Sequence, residues 1–431
     1  MTLILITLIV ILGGVILGRY LYPAANTLIS LSIGILLGPG LYIITMYLLG
    51  LLGVAWTQLT LIILAITFFG SSLTLLKAIK KPSSAPNQLL GILVVLFFTS
   101  FSIIVNSYWP VRDWDALTLY DFRAKVFAEN MEIAGIFTPE LNYYLAYPFF
   151  TSLIHTVSYL FDYGRPAIYY SLIYAALGLF IYGFLSQKVP KALSIIFTVL
   201  VLVSGDIFNH SFISYTNLTY TTYFSVGIFL FLEGIATKKT KLLILGSILI
   251  GIMQHVRYDD PFWVIPLILS ILTFIKSKNY KPLLISTISI FLFRSLWAAY
   301  KNKLMGDFVP IVPTPSNSVL ETLLSTNLLH RVIEVSTFLY KSLWLKYGIL
   351  IYILVFSVLI SWRKKSELLR LSQLVNLLIL AILYLGTIVM SYLYAKWNVV
   401  GGSVARMMMI IIPTILVSAC LSLGEYFNDK K

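Results

Sequence analysis

Apolar runs of roughly 18 to 22 residues, each long enough to cross a bilayer, recur from one end of this 431-residue chain to the other. No soluble domain of ordinary size fits between them. With 59% hydrophobic and only 11% charged residues, the chain cannot present the polar surface a water-soluble fold needs. Inside hydrocarbon a helix satisfies its own backbone amides, so these runs specify an all-α polytopic membrane protein. The first run, "LILITLIVILGGVILG", has neither a charged leader nor a small-residue cleavage site before Arg19. It reads as a retained helix rather than a signal peptide.

The formal net charge is +14, but the basic residues form short clusters between hydrophobic runs instead of a continuous basic face. That pattern speaks against nucleic acid and for orientation by the positive-inside rule. Placing the clusters at 77–86, 186–191, 236–241, 276–281 and 361–370, and the terminal "NDKK", in the cytoplasm predicts about 13 crossings. They lie near 2–18, 28–51, 57–76, 88–107, 166–185, 192–208, 219–236, 242–256, 261–275, 282–299, 342–361, 373–394 and 404–424. The N-terminus is then outside, the C-terminus is cytoplasmic, and the expected location is the plasma membrane. The scheme closes only if the apolar stretch 146–161 does not cross, and a helix lying in or dipping into the outer interface is expected there. Of 17 Asp and Glu residues, four (Glu233, Glu367, Glu425 and Asp429) fall inside and the other 13 outside. Cys420 is the single cysteine, so no intramolecular disulfide or thiolate-rich metal site can form.

Two outer loops are long, 108–165 and 300–341, and long ordered loops tend to carry function. The first opens with "VRDWDALTLYDFRAK" (111–125). From there Leu117, Tyr120, Ala124, Phe127 and Met131 recur at helical spacing, which predicts an amphipathic helix on the membrane surface. Asp121 with Lys125, and Lys125 with Glu129, are i,i+4 neighbours and read as a paired, solvated face. Asp115 stands just before the periodic stretch, where it can cap the helix or act in chemistry. Asp113 points elsewhere, because i,i+2 side chains diverge. Further on, "QHVRYDDPFW" (254–263) gathers His255, Arg257, Asp259 and Asp260 where two helices meet, with Pro261 at the start of the second. "SGDIFNHSF" (204–212) offers Asp206 and His210. Lys396 and Arg406 flank the last crossing, and an arginine inside a span should face an anion or a carboxylate, or else snorkel to the interface. The four histidines lack metal-ligand spacing, and no phosphate loop, zinc-protease or serine-hydrolase motif is present. Outer acids that can serve as a base, beside arginines and lysines that can hold phosphate, equip a membrane surface for group transfer from a phosphate ester.

The order of these features resembles the glycosyltransferase-C superfamily, in particular the branch of protein mannosyltransferases and the lipid A aminoarabinose transferase. The resemblance rests on "WDALTLYDFRAKVFAENMEIAG", "YYLAYPFF", "RYDDPFW" and "GGSVARMMMIIIP", and covers roughly 88–424. It implies a catalytic domain over 88–431, with the helices of 1–87 as an added module. It also implies sugar transfer from a polyprenyl-phosphate-linked donor to a protein, lipid or glycan acceptor on the extracytoplasmic face. Asp115, followed by Tyr120 and Ala124, matches the family's catalytic acid, with Asp113 as the alternative; Ala116 stands where the family often has a second acid. Tyr147 falls in the segment near the acceptor and carrier. Arg257 with Asp259 or Asp260 parallels an Arg-x-Glu hairpin bearing Asp instead of Glu, with His255 beside it. Arg406, assisted by Lys396 or Arg257, is implied at the carrier phosphate. A divalent cation, Mg or Mn, on Asp113 and Asp115 is compatible with this chemistry but not required by it. Two other readings stand beside it: a transporter or flippase of lipid-linked sugars, and an O-antigen ligase or polymerase-like enzyme that works without Asp115.

Overall fold

The computed structural model describes residues 1–79, 88–133, 147–305, 328–361, 366–393, 404 and 406–428. Among the described residues all regular structure is helical. The chain divides into two compact units, Met1–Val309 and Pro310–Lys431.

The first unit begins with α1 (Thr2–Leu21), α2 (Thr27–Leu51), α3 (Gln58–Leu73) and α4 (Leu89–Tyr108). A π-helical turn over Ala116–Asp121 then leads into α5 (Phe122–Asn130), followed by α6 (Phe150–Leu160), α7 (Ile168–Leu185), α8 (Lys191–Leu202) and the short α9 (Gly205–His210). The unit closes with α10 (Thr216–Thr237), α11 (Thr240–Val256), α12 (Val264–Ser277) and α13 (Lys281–Met305). The second unit holds α14 (Leu328–Leu339), α15 (Leu345–Ser361), α16 (Glu367–Leu393) and α17 (Ile411–Asn428). Hydroxyl and amide pairs lace its helices together, Ser357 with Ser422 at 2.7 Å and Asn376 with Ser418 at 3.0 Å.

Among the described residues nine helices are long and apolar enough to cross a membrane: α1 to α4, α7, α10, α13, α16 and α17. The other four expected crossings fall on α8, α11, α12 and α15, apolar helices of 10–17 residues. At 1.5 Å per residue none of these exceeds about 26 Å, short of a hydrocarbon core of about 30 Å. The stretch expected not to cross contains α6. Its 11 residues, all but Tyr159 buried, are covered by the rest of the unit. In a hydrophobic chain an apolar stretch faces lipid or protein with equal ease, and only its neighbours decide.

Helices α2, α7 and α10 form the buried centre of the first unit, while α3 and α4 expose Ile63, Ile66, Phe97 and Ile104. Close packing rests on small residues. A Cβ at Gly38 would lie 2.3 Å from Val10 O, and one at Gly14 would lie 2.6 Å from Gly34 O, so α1 and α2 touch backbone to backbone in the manner of membrane helix pairs. Gly38→Ala is therefore expected to destabilise the α1–α2 pair by about 1–3 kcal/mol. The control is Gly70→Ala, whose Cβ meets nothing within 4 Å. Thermal unfolding of the two variants in one detergent checks the difference. Asn26 ties the start of α2 to the end of α7: its Oδ1 accepts from Ile29 N at 2.9 Å and its Nδ2 donates to Gly183 O at 2.8 Å.

The two ends of the first unit differ chemically. At one end Lys188 Nζ meets Glu233 Oε2 at 2.8 Å, and Lys241 donates to Tyr20 O at 3.2 Å while lying over the Tyr20 ring. Three segments that the charge pattern puts on one side, the end of α1, the α7–α8 turn and the α10–α11 turn, are thus gathered together. At the opposite end Trp56 N donates to Met131 O at 2.7 Å, and Gln58 Nε2 to Leu160 O at 2.6 Å. That end carries the acidic loop.

Candidate functional site

The helix that carries the aspartate cluster starts two residues earlier than a capping reading of Asp115 requires. Leu117 N donates to Asp113 O at 2.8 Å, and the Asp115 side chain makes no capping bond to the π-helical turn. Asp115 lies within the first turn, partly buried, between the exposed Trp114 and the buried Ala116. Asp113 is also partly buried.

The π-helical turn changes which residues face inward. A regular helix would keep Leu117 and Met131 on the apolar stripe with Tyr120, Ala124 and Phe127; instead Leu117 and Met131 are 39% and 42% exposed. The wider turn inserts one extra residue per hydrogen-bonded loop and rotates Asp121 and Arg123 into the protein, where they are 2% and 0% exposed. The solvated face expected for Asp121 is thereby corrected. Its pairing with Lys125 is present, Nζ to Oδ2 at 3.0 Å, but Oδ1 also accepts from His155 Nδ1 at 3.1 Å and from the Tyr159 hydroxyl. An ionised Asp121 accepts, so Nδ1 of His155 carries a proton, and Nε2 meets the Tyr170 hydroxyl at 3.1 Å. Burial alone would raise the Asp121 pKa. The bonds from His155, Tyr159 and Lys125 outweigh it and hold the carboxyl at about 2.

Arg123 is locked from three directions: Nε to Ser152 Oγ at 2.8 Å, Nη1 to Tyr147 O at 2.9 Å and Nη2 to Pro148 O at 3.0 Å, with the guanidinium 4.8 Å from the Phe149 ring centroid. Burial lowers its pKa to about 10, and nearby Tyr120, Tyr300 and Tyr147 oppose that shift. The "YPFF" segment thus wraps an arginine. Tyr120 is buried, paired with the Thr216 hydroxyl and within electrostatic reach of Arg257, Arg123 and Tyr147.

Arg257 and Asp260 form a two-point pair, Nε to Oδ2 at 2.7 Å and Nη2 to Oδ1 at 3.2 Å, a geometry that fixes the guanidinium plane. The two aspartates of "RYDDPFW" therefore separate: Asp260 is buried on Arg257, and Asp259 is exposed. Pro261 opens a 3-10 turn, as expected. Beside this hairpin Arg294 of α13 donates to Gln254 Oε1 at 2.8 Å and Tyr258 O at 2.9 Å, and stacks against Tyr258 and Trp263 at 4.0 and 4.4 Å. His255, expected beside the substrate, lies at the end of α11. It is buried edge-on to Tyr47 and Phe293, and its Nε2 has no hydrogen-bond partner.

The structure therefore brings Arg123, Tyr147 and Arg257 together around the buried Tyr120, with Asp115 and Asp113 at the head of the same helix. Arg406 belongs to the second unit, partly buried just before the 3-10 turn Met408–Ile410. Lys396 lies outside the described residues. Among the described residues no three His, Cys, Asp or Glu side chains are grouped for a metal; Asp113 and Asp115 alone would leave most ligands of a Mg or Mn ion to water or substrate. His155, Tyr159, Ser152 and Arg294 were not singled out from the sequence. For His155 a signal was present: it is a polar ring inside an apolar run, four residues before Tyr159, hence on the same helix face.

Helix length and composition define the class: an all-α integral membrane protein. Comparison with protein-family models, with curated proteins and with solved structures gave no match.

Proposed function

We propose that the chain is a membrane glycosyltransferase of the glycosyltransferase-C type, which moves a sugar from a polyprenyl-phosphate-linked donor to an acceptor hydroxyl on the extracytoplasmic face. The observation that carries this reading is one helix start: a partly open Asp113–Asp115 turn that leads through Tyr120 to the Arg257–Asp260 pair, at the end of the unit opposite the basic turns. The shorter helices α8, α11, α12 and α15 serve as crossings beside the nine longer ones, giving thirteen. Neighbouring helices shield their ends where they fall short of the lipid boundary.

Asp115 acts as general base. It takes the acceptor proton while the acceptor oxygen attacks the anomeric carbon, inverting it. The bond from that carbon to the phosphate oxygen breaks, and the electron pair leaves with the polyprenyl phosphate. Cationic donors stabilise the developing phosphate charge. Asp260 already engages Nε and Nη2 of Arg257, so the remaining N–H groups of Arg257 are held in a fixed direction. Arg406 and Lys396 are the other candidates for the phosphate. A Mg or Mn ion on Asp113 and Asp115 would add charge, but no step requires one.

Two measurements test the reading. Membrane-impermeant labelling of single cysteines in 108–133 of a Cys420→Ser background is expected from the extracytoplasmic side only; labelling from the cytoplasm sinks the topology. Transfer from synthetic polyprenyl-phosphate sugars by purified protein is expected in wild type. The transport reading draws on Arg294, a cation inside a candidate span, yet the bonds of Arg294 go to Gln254 and Tyr258 O at the end of α11, not to mid-membrane groups. Flipping of a lipid-linked sugar without transfer would favour that alternative.

A further inference from the structure

Between α1, α2, α6 and the start of α7 lies a cavity of about 290 Å³. Its walls are almost entirely hydrocarbon, with Val10, Ile43, Val157 and Leu172 among them, and Arg165 and Tyr169 stand at its rim and wall. On α1 the lining runs from Leu3 to Ile11, about 12 Å at 1.5 Å per residue. The groove is thus a slot parallel to the helices. Two of its polar groups are satisfied internally, since Thr7 donates to Leu3 O at 2.8 Å and the Tyr42 hydroxyl to Leu61 O at 3.0 Å.

Arg165 and Tyr169 are different. The Arg165 side chain is partly buried and has no hydrogen bond or ion pair among the described residues. It sits in the α6–α7 turn, at the end of the unit where Gln58 meets Leu160. The buried Tyr169 hydroxyl has the Tyr223 hydroxyl within interaction range and makes no other side-chain hydrogen bond. It lies beside Tyr223, whose own proton goes to Leu36 O at 2.6 Å. From Arg165 to Tyr169 is about one helical turn, roughly 6 Å inward.

A gap of this kind between membrane helices holds a lipid tail, because water finds no polar partners along it. The cation at the mouth selects the headgroup. We propose that this groove binds an anionic glycerophospholipid, with one acyl chain along the slot, the phosphate on Arg165 and the ester carbonyl accepting from the Tyr169 hydroxyl. The ester is what distinguishes this occupant from a prenyl phosphate, which carries none at that depth. The site does not depend on the transferase reading. It does share a helix with the aspartate network: Ile154, Val157 and Ser158 of α6 line the groove, while His155 and Tyr159 of the same helix hold Asp121.

The test is native mass spectrometry of the full chain released from phosphatidylcholine nanodiscs doped with phosphatidylglycerol, together with thermal unfolding after titration of each lipid. One phosphatidylglycerol is expected to be retained per chain and to raise the unfolding temperature. Arg165→Gln is expected to weaken retention about five- to tenfold, the worth of one cation at a lipid phosphate, and Arg165→Lys is expected to keep most of it. Tyr169→Phe lowers retention of the ester lipid but leaves that of an ether-linked analogue unchanged. Val157→Trp, which fills the slot, abolishes retention. Equal retention of phosphatidylcholine by wild type overturns the proposal even if every variant misfolds. So does preferential retention of a prenyl phosphate, or undiminished binding by Arg165→Gln.

Discussion

Asp115→Asn lowers sugar transfer from a polyprenyl-phosphate donor by about 10²- to 10⁴-fold, the contribution of a positioned general base, and leaves the thermal unfolding midpoint of the protein unchanged. The two halves of this expectation belong together. The Asp115 side chain makes no capping bond to the turn that follows it, and an amide in its place removes basicity while keeping an oxygen that can accept a hydrogen bond. The isosteric amide also keeps the local volume, which guards against a packing artefact. Asp113→Asn is the comparison. Its carbonyl, not its side chain, receives the first helical bond from Leu117 N, and as an assisting group it should cost less than Asp115. Undiminished transfer by Asp115→Asn removes it as the base. A parallel loss of folding would make it a structural residue instead.

The second large effect falls on stability. Asp121→Ala is expected to destabilise the first unit by about 3–5 kcal/mol, the usual result of removing one member of a buried charged pair. It strands the buried His155, the Tyr159 hydroxyl and the Lys125 ammonium at once. Denaturant or thermal unfolding of the purified chain measures the loss. Hydrogen exchange should place it in α5 and α6, whose contact the network bridges. The same carboxyl predicts a pH dependence with a definite sign. Its folded pKa of about 2 lies below an unfolded value near 3.9, so its contribution is fully present above about pH 4 to 5. That contribution is lost as pH falls toward 2, and it amounts to about 2–3 kcal/mol. The loss of stability between pH 5 and 2 should therefore be steeper in wild type than in Asp121→Asn. Equal acid sensitivity of the two proteins would show that Asp121 is not held by its neighbours.

Much of the scaffold was legible because lipid imposes a simple rule. Long apolar segments must be helices, and all nine long apolar helices of the described residues coincide with expected crossings. Even relative sidedness was readable: the Lys188–Glu233 pair joins two segments that the charge pattern had already put on one side. The site was legible only in part. Tyr120 and Arg257, 137 residues apart in sequence, do come into electrostatic reach, and Asp115 does stand at a helix start. Period-based reading misplaced Asp121, because it assumes 3.6 residues per turn throughout and the chain makes a π-helical turn over Ala116–Asp121. Nothing in the residue types of that stretch announces the change of pitch.

His255 shows the same limit from the other direction. Its place near Arg257 was legible, but only the last turn of α11 sets its side chain against Tyr47 and Phe293. The sequence by itself determined that this is a membrane-embedded helical protein with its acids concentrated in a few interhelical segments, since hydrocarbon length and charge are local quantities that can be counted along the chain. Only the tertiary structure decided which of those charges are fully buried and on what they are held. Local spacing gave Asp121 its partner Lys125 but not its burial. Asp121 and Asp115 differ in what packs against them: α6 brings His155 and Tyr159 to Asp121, whereas Asp115 sits partly buried in the first turn of its helix.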